Sequence, residues 1–334
     1  MRYFRVNKKK YSSYNKILLI AEIGSNHNNN FQTCKKLIRV AKSAGFDAVK
    51  FQLFKAEELV PKKTKGYKVL KKYEINEDWI KKIKNYCKKT KILFACSPFS
   101  IDAVNLLIKH DCDIIKIASP EIKNLPLLEK VVKTNKPLII STGDCSFNEI
   151  NLAKKILRPK NRFTNAFLHC VSEYPTKNKN LNLNNIKYMY DKLKFYEVGF
   201  SDHSLGINAS INAVSLGASI IEKHITISRK LKGPDHFFAI EPKECNQMVK
   251  AIRELIVSLG NKNKKRLKDE NTVYIKIFSS KFLKKGEKIN IKNIQFLRSL
   301  KNIGVNCKDY KKVIGKTILK PIKKGNEIKF NRLK

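Results

Sequence analysis

Strand-like and helix-like patterns alternate through most of this chain, from Ile17 to about Gly260. Each short apolar run is followed by a segment whose apolar residues recur at three- and four-residue spacing, the period of an amphipathic helix. Eight such pairs in about 245 residues match the number and size of a (β/α)8 barrel. An open doubly wound sheet is the alternative, but no Gly-x-Gly-x-x-Gly motif follows the first strand. The sequence therefore predicts a TIM barrel over residues 17–260.

Polar side chains stand at or just past the carboxyl ends of these predicted strands. In a barrel of parallel strands those ends converge on one face, where the active site lies. The residues expected to meet there are Glu22, Lys50, Gln52, Ser97, Lys116, Ser119, Ser141, Ser172, Tyr174, His203 and His224. The pattern therefore predicts a functional site at the mouth of the barrel.

The lysines and serines at this mouth favour an anionic ligand. Lys50 and Lys116 each lie within an apolar strand, where an unpaired ammonium is costly, so we expect them to act as fixed cations. Hydroxyl donors are expected from Ser97, Ser119, Ser141, Ser172 and Ser201. Together these groups suit a small ligand that carries phosphate or carboxylate. For any single serine, the alternative is a turn or cap residue.

Each of the last two predicted strands ends in a histidine. The runs Val198–His203 and Ile220–His224 are joined by Ile207–Gly217, which is apolar enough for a crossover helix. Adjacent strands lie about 5 Å apart, so His203 and His224 could bind one metal ion. A metal held by two histidines keeps open positions and can polarise a substrate carbonyl. The alternative is two unrelated histidines, one in the core and one capping a strand.

Glu22 follows the apolar run of the first predicted strand. A carboxylate at that position could shuttle protons or orient a substrate hydroxyl. On spacing alone, the alternative is a buried ion pair with a neighbouring lysine. The sequence thus offers a candidate acid or base beside the two histidines.

The composition of the chain changes at both ends of the predicted barrel. Residues 1–16 are basic and are predicted to be an N-terminal extension. Residues 261–271, which include the stretch NKNKKRLKD, are predicted to be a charged linker. Short β-like runs, Val273–Phe278, Ile294–Leu297 and Val313–Leu319, then predict a small, mostly β domain over residues 272–334.

The formal net charge of +42 comes from 70 lysines and arginines against 28 acidic residues. Such a charge is typical of proteins that bind nucleic acid or anionic membranes. These lysines occur on nearly every predicted helix and loop, however, and no aromatic residues interleave with them as in a stacking platform. We therefore expect no specific nucleic-acid partner, although part of the charge could help to collect an anionic substrate.

Apolar runs and cysteines indicate the compartment. No run approaches 18 apolar residues, so we expect no membrane span. The eight cysteines form no Cys-x-x-Cys pair and are scattered through predicted strands and helices, as buried free thiols would be. The sequence therefore predicts a cytoplasmic protein.

Eight short motifs occur in order along the chain and resemble one known family. They are AEIGSNH (21–27), VKFQ (49–52), KIASPE (116–121), STG (141–143), LHCVSEYPT (168–176), GFSDHSLG (199–206), EKH (222–224) and GPDH (233–236). Together they resemble the sialic acid (N-acetylneuraminate) synthase family, which also makes related nonulosonic acids. The C-terminal region is similar to the antifreeze-like (SAF) domain of that family. The resemblance extends over nearly the whole chain.

This resemblance implies a barrel enzyme that condenses phosphoenolpyruvate with an N-acetylated hexose and releases phosphate. N-acetylmannosamine is the sugar we expect; a diacetamido-trideoxy-hexose, which would give a legionaminic- or pseudaminic-type acid, is the alternative. The resemblance also implies a divalent metal, typically Mn²⁺, with Mg²⁺ or Co²⁺ as alternatives. Finally, it implies a domain-swapped homodimer in which each antifreeze-like domain caps the barrel of the partner.

Residue by residue, the resemblance assigns the metal to His203 and His224. It implies phosphoenolpyruvate contacts from Lys50, Ser97, Lys116, Ser119, Ser172 and Ser201. It implies sugar contacts from Gln52, Glu121, Tyr174 and Asp235. Glu22 would orient the aldehyde and a water molecule, and Arg298 would reach the N-acetyl group from the partner subunit.

Two other functions compete with this interpretation. A barrel aldolase would use a lysine as a Schiff base, for which Lys50 and Lys116 are candidates, although the paired histidines favour metal. A nucleic-acid-binding protein is suggested only by the charge, and it would bind random duplex in a salt-sensitive manner that does not depend on His203.

Overall fold

The computed structural model describes residues 2–157, 163–260 and 272–334. The chain divides into two compact units, Met1–Asn261 and Lys262–Lys334. The predicted linker, residues 261–271, lies outside the described residues. No helix in the described ranges is long and apolar enough to cross a membrane.

The first unit begins with a hairpin and continues as a closed barrel. The antiparallel hairpin consists of β1 (Phe4–Val6) and β2 (Lys9–Tyr11). Eight parallel strands then close on themselves: β3 (Leu18–Glu22), β4 (Ala48–Leu53), β5 (Leu93–Pro98), β6 (Ile114–Ile117), β7 (Leu138–Ser141), β8 (Asn165–Cys170), β9 (Glu197–Asp202) and β10 (Ile220–His224). Pairing of β10 with β3 closes the ring. The predicted TIM barrel is confirmed.

Helices surround this barrel and connect its strands. They are α1 (Phe31–Ala44), α2 (Ala56–Leu59), α3 (Lys65–Lys71), α4 (Glu77–Thr90), α5 (Ile101–Lys109), α6 (Leu125–Lys133), α7 (Phe147–Ile156), α8 (Asn185–Lys192), α9 (Asn208–Ser215) and α10 (Pro242–Leu259). Several of them begin with a side-chain cap, such as Asn76, which accepts from the Trp79 N–H at the start of α4. The short helices α2 and α3 lie in a lysine-rich connection to which the sequence analysis assigned no element.

The barrel has two apolar layers. Outward-facing strand residues and the buried faces of the helices form the larger core, which includes Leu19, Val49 and Phe94. Inward-facing residues form a second cluster at the amino ends of the strands, and Phe4, Val6 and Tyr11 of the hairpin belong to it. These three side chains are at most 1 % exposed. The N-terminal extension is therefore a plug that closes the amino end of the barrel, a role that its basic composition did not indicate.

The second unit has its own small core and fits the predicted mostly β domain. Strands β11 (Tyr274–Ser279) and β12 (Ile294–Ser299) pair antiparallel. The predicted third strand, Val313–Leu319, is wrong, because only isolated bridges form there. Gly315 has φ 81° and interrupts the extended backbone, while Val313 and Ile318 are buried in the core on either side of it.

Candidate active site

The carboxyl ends of the barrel strands surround a small polar cavity of about 80 Å³. Most of the predicted site residues line it: Glu22, Lys50, Gln52, Ser97, Lys116, Ser119, Ser141, Tyr174, Ser201, His203 and His224. Phe99, Cys170 and Glu222 also line it and were not among the predicted site residues. Alternation of side chains along parallel strands explains why residues from eight separate segments converge here.

Lys50 is a buried cation that lines the cavity. The register of β3 and β4 places it beside Glu22, and its Nζ lies 3.0 Å from Glu22 Oε2. The same ammonium donates to Ser97 Oγ at 3.3 Å. Gln52 Nε2 donates to Glu22 Oε1 at 2.8 Å. Glu22 therefore does form the buried ion pair that was the alternative to a catalytic role, and it does so facing the cavity.

Glu222 joins the two lysines and is the main site residue that sequence reasoning missed. Its Oε1 lies 3.1 Å from Lys116 Nζ and 3.7 Å from Lys50 Nζ, and it accepts from Ser201 Oγ at 3.0 Å. Its Oε2 has no hydrogen-bond partner within the described protein. The signal that could have identified it is the two-residue period that puts Glu222 on the face of His224.

The two buried carboxyl groups have opposite acidities. Burial raises the pKa of Glu22, and the nearby Lys50 only partly opposes this effect. Burial would also raise the pKa of Glu222, but Lys116 and Lys50 together hold it at about 2. Two carboxyl groups whose environments separate their pKa values in this way are suited to different roles. Glu222 stays ionised and holds the lysines, whereas Glu22 is the group that can gain a proton.

His203 and His224 face each other at the ends of β9 and β10, with ring centroids 5.6 Å apart. The strands are neighbours, as the sequence predicted. In the neutral ring, His203 Nδ1–H donates to the Val171 carbonyl at 2.8 Å, which leaves its Nε2 lone pair free. His224 Nδ1 makes no hydrogen bond with the described protein. Burial lowers the pKa of His224 to about 3, so this ring is neutral near pH 7.

These two histidines fit a divalent cation by their chemistry. Neutral imidazole is the form that binds metals such as Mn²⁺, Zn²⁺ and Co²⁺. A hydrogen bond from the other ring nitrogen to a backbone carbonyl, as at His203, commonly orients a metal-binding histidine. Within the described residues there is no group of three or more His, Cys, Asp and Glu side chains arranged around one point. A cation held by His203 and His224 would therefore keep open positions.

Ser119 and Ser172 meet at the backbone of Gly143, in the loop after β7. Gly143 N–H donates to Ser119 Oγ at 2.9 Å. A Cβ at Gly143 would lie 2.6 Å from Ser172 Oγ and 3.0 Å from Ser119 Oγ, so a side chain here would displace these hydroxyl groups. Ser172 lines a larger groove of about 970 Å³ that shares Pro120 and Cys170 with the central cavity. The two predicted serines are thus together, at the border of the two cavities.

Aromatic side chains and the last barrel loop border the histidines. The ring centroid of Tyr174 lies 4.1 Å from that of His203, and Phe238 packs 4.9 Å from His224. Asp235 Oδ2 accepts from the Ser25 N–H at 3.4 Å and lies 3.9 Å from His224 Nδ1. Tyr174, which the strand-end pattern predicted at the mouth, and Asp235, which was singled out by the family resemblance, therefore both lie there.

One predicted sugar contact, Glu121, does not line the cavity. Glu121 lies in the 3-10 helix Pro120–Lys123 and accepts from Asn124 Nδ2 at 2.9 Å. Arg298 is exposed on β12, in the second unit. The cavity lining thus brings together most of the predicted metal and anion contacts with the predicted sugar contacts Gln52 and Tyr174.

Known proteins resemble most of this chain. An N,N'-diacetyllegionaminic acid synthase of Campylobacter jejuni is 35 % identical over 94 % of this chain and 99 % of its own. An N-acetylneuraminate-9-phosphate synthase of Mus musculus is 32 % identical over 75 % of this chain and 73 % of its own.

Solved structures and a family model agree with these relatives. The N-acetylneuraminic acid synthetase of Leptospira borgpetersenii, crystallised with citrate, superimposes with a TM-score of 0.76 at 32 % identity. That match covers 80 % of this chain and 93 % of the other. The model of the NeuB family matches residues 37–264, which contain most of the barrel and nearly all of the cavity lining. By its sequence, its barrel and its relatives, this chain belongs to the NeuB family.

Proposed function

We propose that this chain condenses phosphoenolpyruvate with an N-acetylated hexose and water, giving a nonulosonic acid and phosphate. One observation carries the proposal: two buried lysines, paired to Glu22 and Glu222, share a cavity with two neighbouring histidines. Buried ammonium groups suit the phosphate and carboxylate of one substrate. Neutral imidazoles suit a cation that would act on the carbonyl of the other.

The reaction balances as follows. Carbon 3 of phosphoenolpyruvate forms a bond with the aldehyde carbon of the open-chain sugar, positive charge develops at carbon 2, water adds there, and phosphate leaves. Lys50 and Lys116 would bind the phosphate and carboxylate groups. Their ammonium groups would stabilise the negative charge of this substrate in place of water. Ser97, Ser119, Ser172 and Ser201 would donate further hydrogen bonds. Holding both substrates in the reactive orientation would lower the activation free energy further.

Glu22 would handle protons and orientation in this scheme. Its raised pKa lets it take a proton from the attacking water or give one to the new hydroxyl group. A divalent cation at His203 and His224 would polarise the aldehyde carbonyl when bound. Gln52, Tyr174 and Asp235 stand around the same opening and would contact the sugar.

Two sugars are candidates for the second substrate. N-acetylmannosamine is the one that the sequence analysis favoured. A diacetamido-trideoxy-hexose is supported by the C. jejuni relative, whose name specifies a diacetylated product and which matches nearly the whole chain. Phosphate release with each sugar in parallel, at equal concentration, decides between them.

The test of the reaction is phosphate release from phosphoenolpyruvate with Mn²⁺, with either sugar present or omitted, beside His203→Ala. We expect release that depends on the sugar and is lost in the variant. Mg²⁺ and Co²⁺ replace Mn²⁺ in parallel reactions. Absence of release with both sugars would overturn the proposed function.

The aldolase alternative has one supporting observation, because burial lowers the pKa of Lys116 as a Schiff-base lysine requires. Borohydride treatment in the presence of pyruvate tests it. We expect no covalent adduct, since the Lys116 ammonium is paired with Glu222. An adduct mapped to Lys116 would replace the condensation proposal with an aldolase.

The proposal includes a homodimer in which Arg298 enters the partner's site. Large apolar side chains on the second unit are exposed, among them Ile291 (55 %) and Leu300 (79 %), as expected of a surface that another chain covers. Mixing Arg298→Ala with His203→Ala tests this arrangement. A mixed dimer has one barrel with an intact His203 capped by an intact Arg298, so activity should return although each variant alone is inactive. Failure to recover would contradict the shared site.

A further inference from the structure

An ion pair lies directly behind the two histidines. Asp202 precedes His203 on β9, Lys223 precedes His224 on β10, and the strand register pairs Asp202 with Lys223. Since side chains alternate, this pair faces away from the cavity, toward α9. Lys223 Nζ lies 3.0 Å from Asp202 Oδ2, and neither side chain is exposed at all.

Hydrogen bonds satisfy the remaining polar atoms of this pair. Asp202 Oδ1 accepts from the backbone N–H of Ser204 at 2.8 Å and from its hydroxyl at 2.6 Å. Asp202 Oδ2 accepts from Ser210 Oγ on α9 at 2.6 Å. Lys223 Nζ donates to the Ser204 carbonyl at 2.6 Å. The pair therefore ties together β9, β10, α9 and the turn that follows His203.

Stability alone is a poor reason for this arrangement. Removing two charges from water costs about as much as their attraction returns, so apolar side chains of similar volume often stabilise a protein as well or better. An apolar pair has no directional bonds. It could therefore neither fix the register of the two strands nor hold the turn in the way that this ion pair does. Ser204, which makes three of these hydrogen bonds with Asp202 and Lys223, is the residue immediately after His203.

We propose that Asp202 and Lys223 are positioning residues that set His203 and His224 for one divalent cation. The inference rests on the proposed function, because it assumes that the two histidines bind metal. It adds residues that contact neither cation nor substrate. A shift of either strand end would move one imidazole relative to the other, and metal affinity depends on that separation.

The experiment measures Mn²⁺ binding without substrates, from the electron paramagnetic resonance signal of free Mn²⁺. Lys223→Met keeps the volume and removes the ammonium, and Asp202→Asn keeps the acceptor of the Ser204 N–H. We expect each to weaken Mn²⁺ binding about tenfold to a hundredfold, as loss of partners behind metal ligands does. Because the two residues act as one unit, the double variant should bind Mn²⁺ about as weakly as either single variant.

Arg253→Met is the matched control. Arg253 Nη2 lies 2.7 Å from Asp47 Oδ2, in an ion pair that is also hydrogen-bonded to the backbone, at the Ile17 carbonyl before β3. We expect this control to lower the thermal midpoint measured without metal but to leave Mn²⁺ affinity within about twofold of wild type. In the Lys223 and Asp202 variants, by contrast, the loss of Mn²⁺ affinity should be larger than the change in thermal midpoint accounts for.

The outcomes separate this inference from the function on which it rests. If wild type binds no Mn²⁺, no Mg²⁺ and no Co²⁺, the metal site itself is wrong. If wild type binds Mn²⁺ and His203→Ala does not, but Lys223→Met and Asp202→Asn bind it as wild type does, the positioning role is overturned. Should Lys223→Met fail to fold, the milder Asp202→Asn decides on the same criterion.

Discussion

The two ends of the barrel are buried to the same degree by different means. At the amino end, Phe4 and Tyr11 of the hairpin pack against inward-facing Leu18 and Ile20, in an almost wholly apolar cluster. At the carboxyl end, Lys50, Lys116, Glu22 and Glu222 are at most 4 % exposed, yet they form a network of charges with unsatisfied atoms. Burial alone therefore does not separate a structural end from a functional one. What separates them is the kind of group that is buried. In the described part of the chain, the amino end buries apolar side chains with a single unsatisfied hydroxyl group, at Tyr11, whereas the carboxyl end buries charged groups, of which Glu22 and Glu222 each keep an oxygen without a hydrogen bond.

The largest expected effect on stability comes from a substitution in the apolar cluster at the amino end of the barrel. Phe4→Ala should lower the free energy of unfolding by about 3–5 kcal/mol, because a fully buried phenyl ring leaves a cavity. Urea unfolding followed by circular dichroism measures it. Mn²⁺ affinity of the folded variant should be unchanged, and a parallel loss of metal binding would show that the two ends are not independent.

A smaller effect, on the rate of the reaction, is expected from a substitution among the charged groups at the carboxyl end. Glu222→Gln should lower the rate of phosphate release about a hundredfold, roughly 2.7 kcal/mol of transition-state stabilisation, because Lys116 and Lys50 lose their fixed anion. The unfolding free energy is measured beside it. A variant with wild-type kinetics and a large stability loss would make Glu222 a structural residue like those of the plug.

The two ends should also respond to pH in opposite directions. Burial lowers the pKa of His27, in the loop after β3, to about 4, so stability is lost as pH falls from about 6.5 toward 4. Burial raises the pKa of Glu197, at the start of β9, to about 7, so its contribution is lost as pH rises from about 4.5 through 7.

Each response is at most about 3 kcal/mol, and single variants isolate it. Unfolding midpoints across pH 4 to 8 should flatten on the acid side in His27→Gln and on the neutral side in Glu197→Gln. Unchanged curves in both variants would mean that neither group titrates as its burial implies.

The smallest expected effects come from the removal of one buried hydroxyl group at each end of the barrel. Tyr11 Oη and Ser141 Oγ are each buried without a hydrogen-bond partner in the described protein. Tyr11→Phe should be neutral or stabilising by about 1 kcal/mol, because it removes an unsatisfied hydroxyl group. Ser141→Ala should change stability as little but raise KM for phosphoenolpyruvate about fivefold, the loss of one hydrogen bond. Equal kinetics in the two variants would contradict a ligand at Ser141.

Sequence reasoning recovered the barrel and much of the charged end, because both depend on periodicity. Alternating apolar runs predicted the strands, and the polar residue that ends a run marks the mouth wherever parallel strands converge. His203 and His224 follow from that rule directly. Glu222 was given no role: the two-residue period puts it on the face of His224, but only the lysines that other strands bring to it show what it does there.

The hairpin was missed for the opposite reason. Residues Phe4–Val6 and Lys9–Tyr11 are too short and too basic to be recognised as strands. They become strands because the barrel supplies the surface that buries Phe4 and Tyr11. Contacts of this kind, between the first residues and many distant strands, have no local pattern.

The hairpin also has a consequence for synthesis on the ribosome. It is synthesised before every barrel strand, but the barrel that it plugs is complete only when Ile220 pairs with Leu18, about 200 residues later. At about 5–20 residues per second, that interval lasts roughly 10–40 s. Throughout it, the apolar side chains of the hairpin and the open edge of β3 have no permanent partner. The hairpin and β3 are therefore the segments that a nascent-chain chaperone would have most reason to protect.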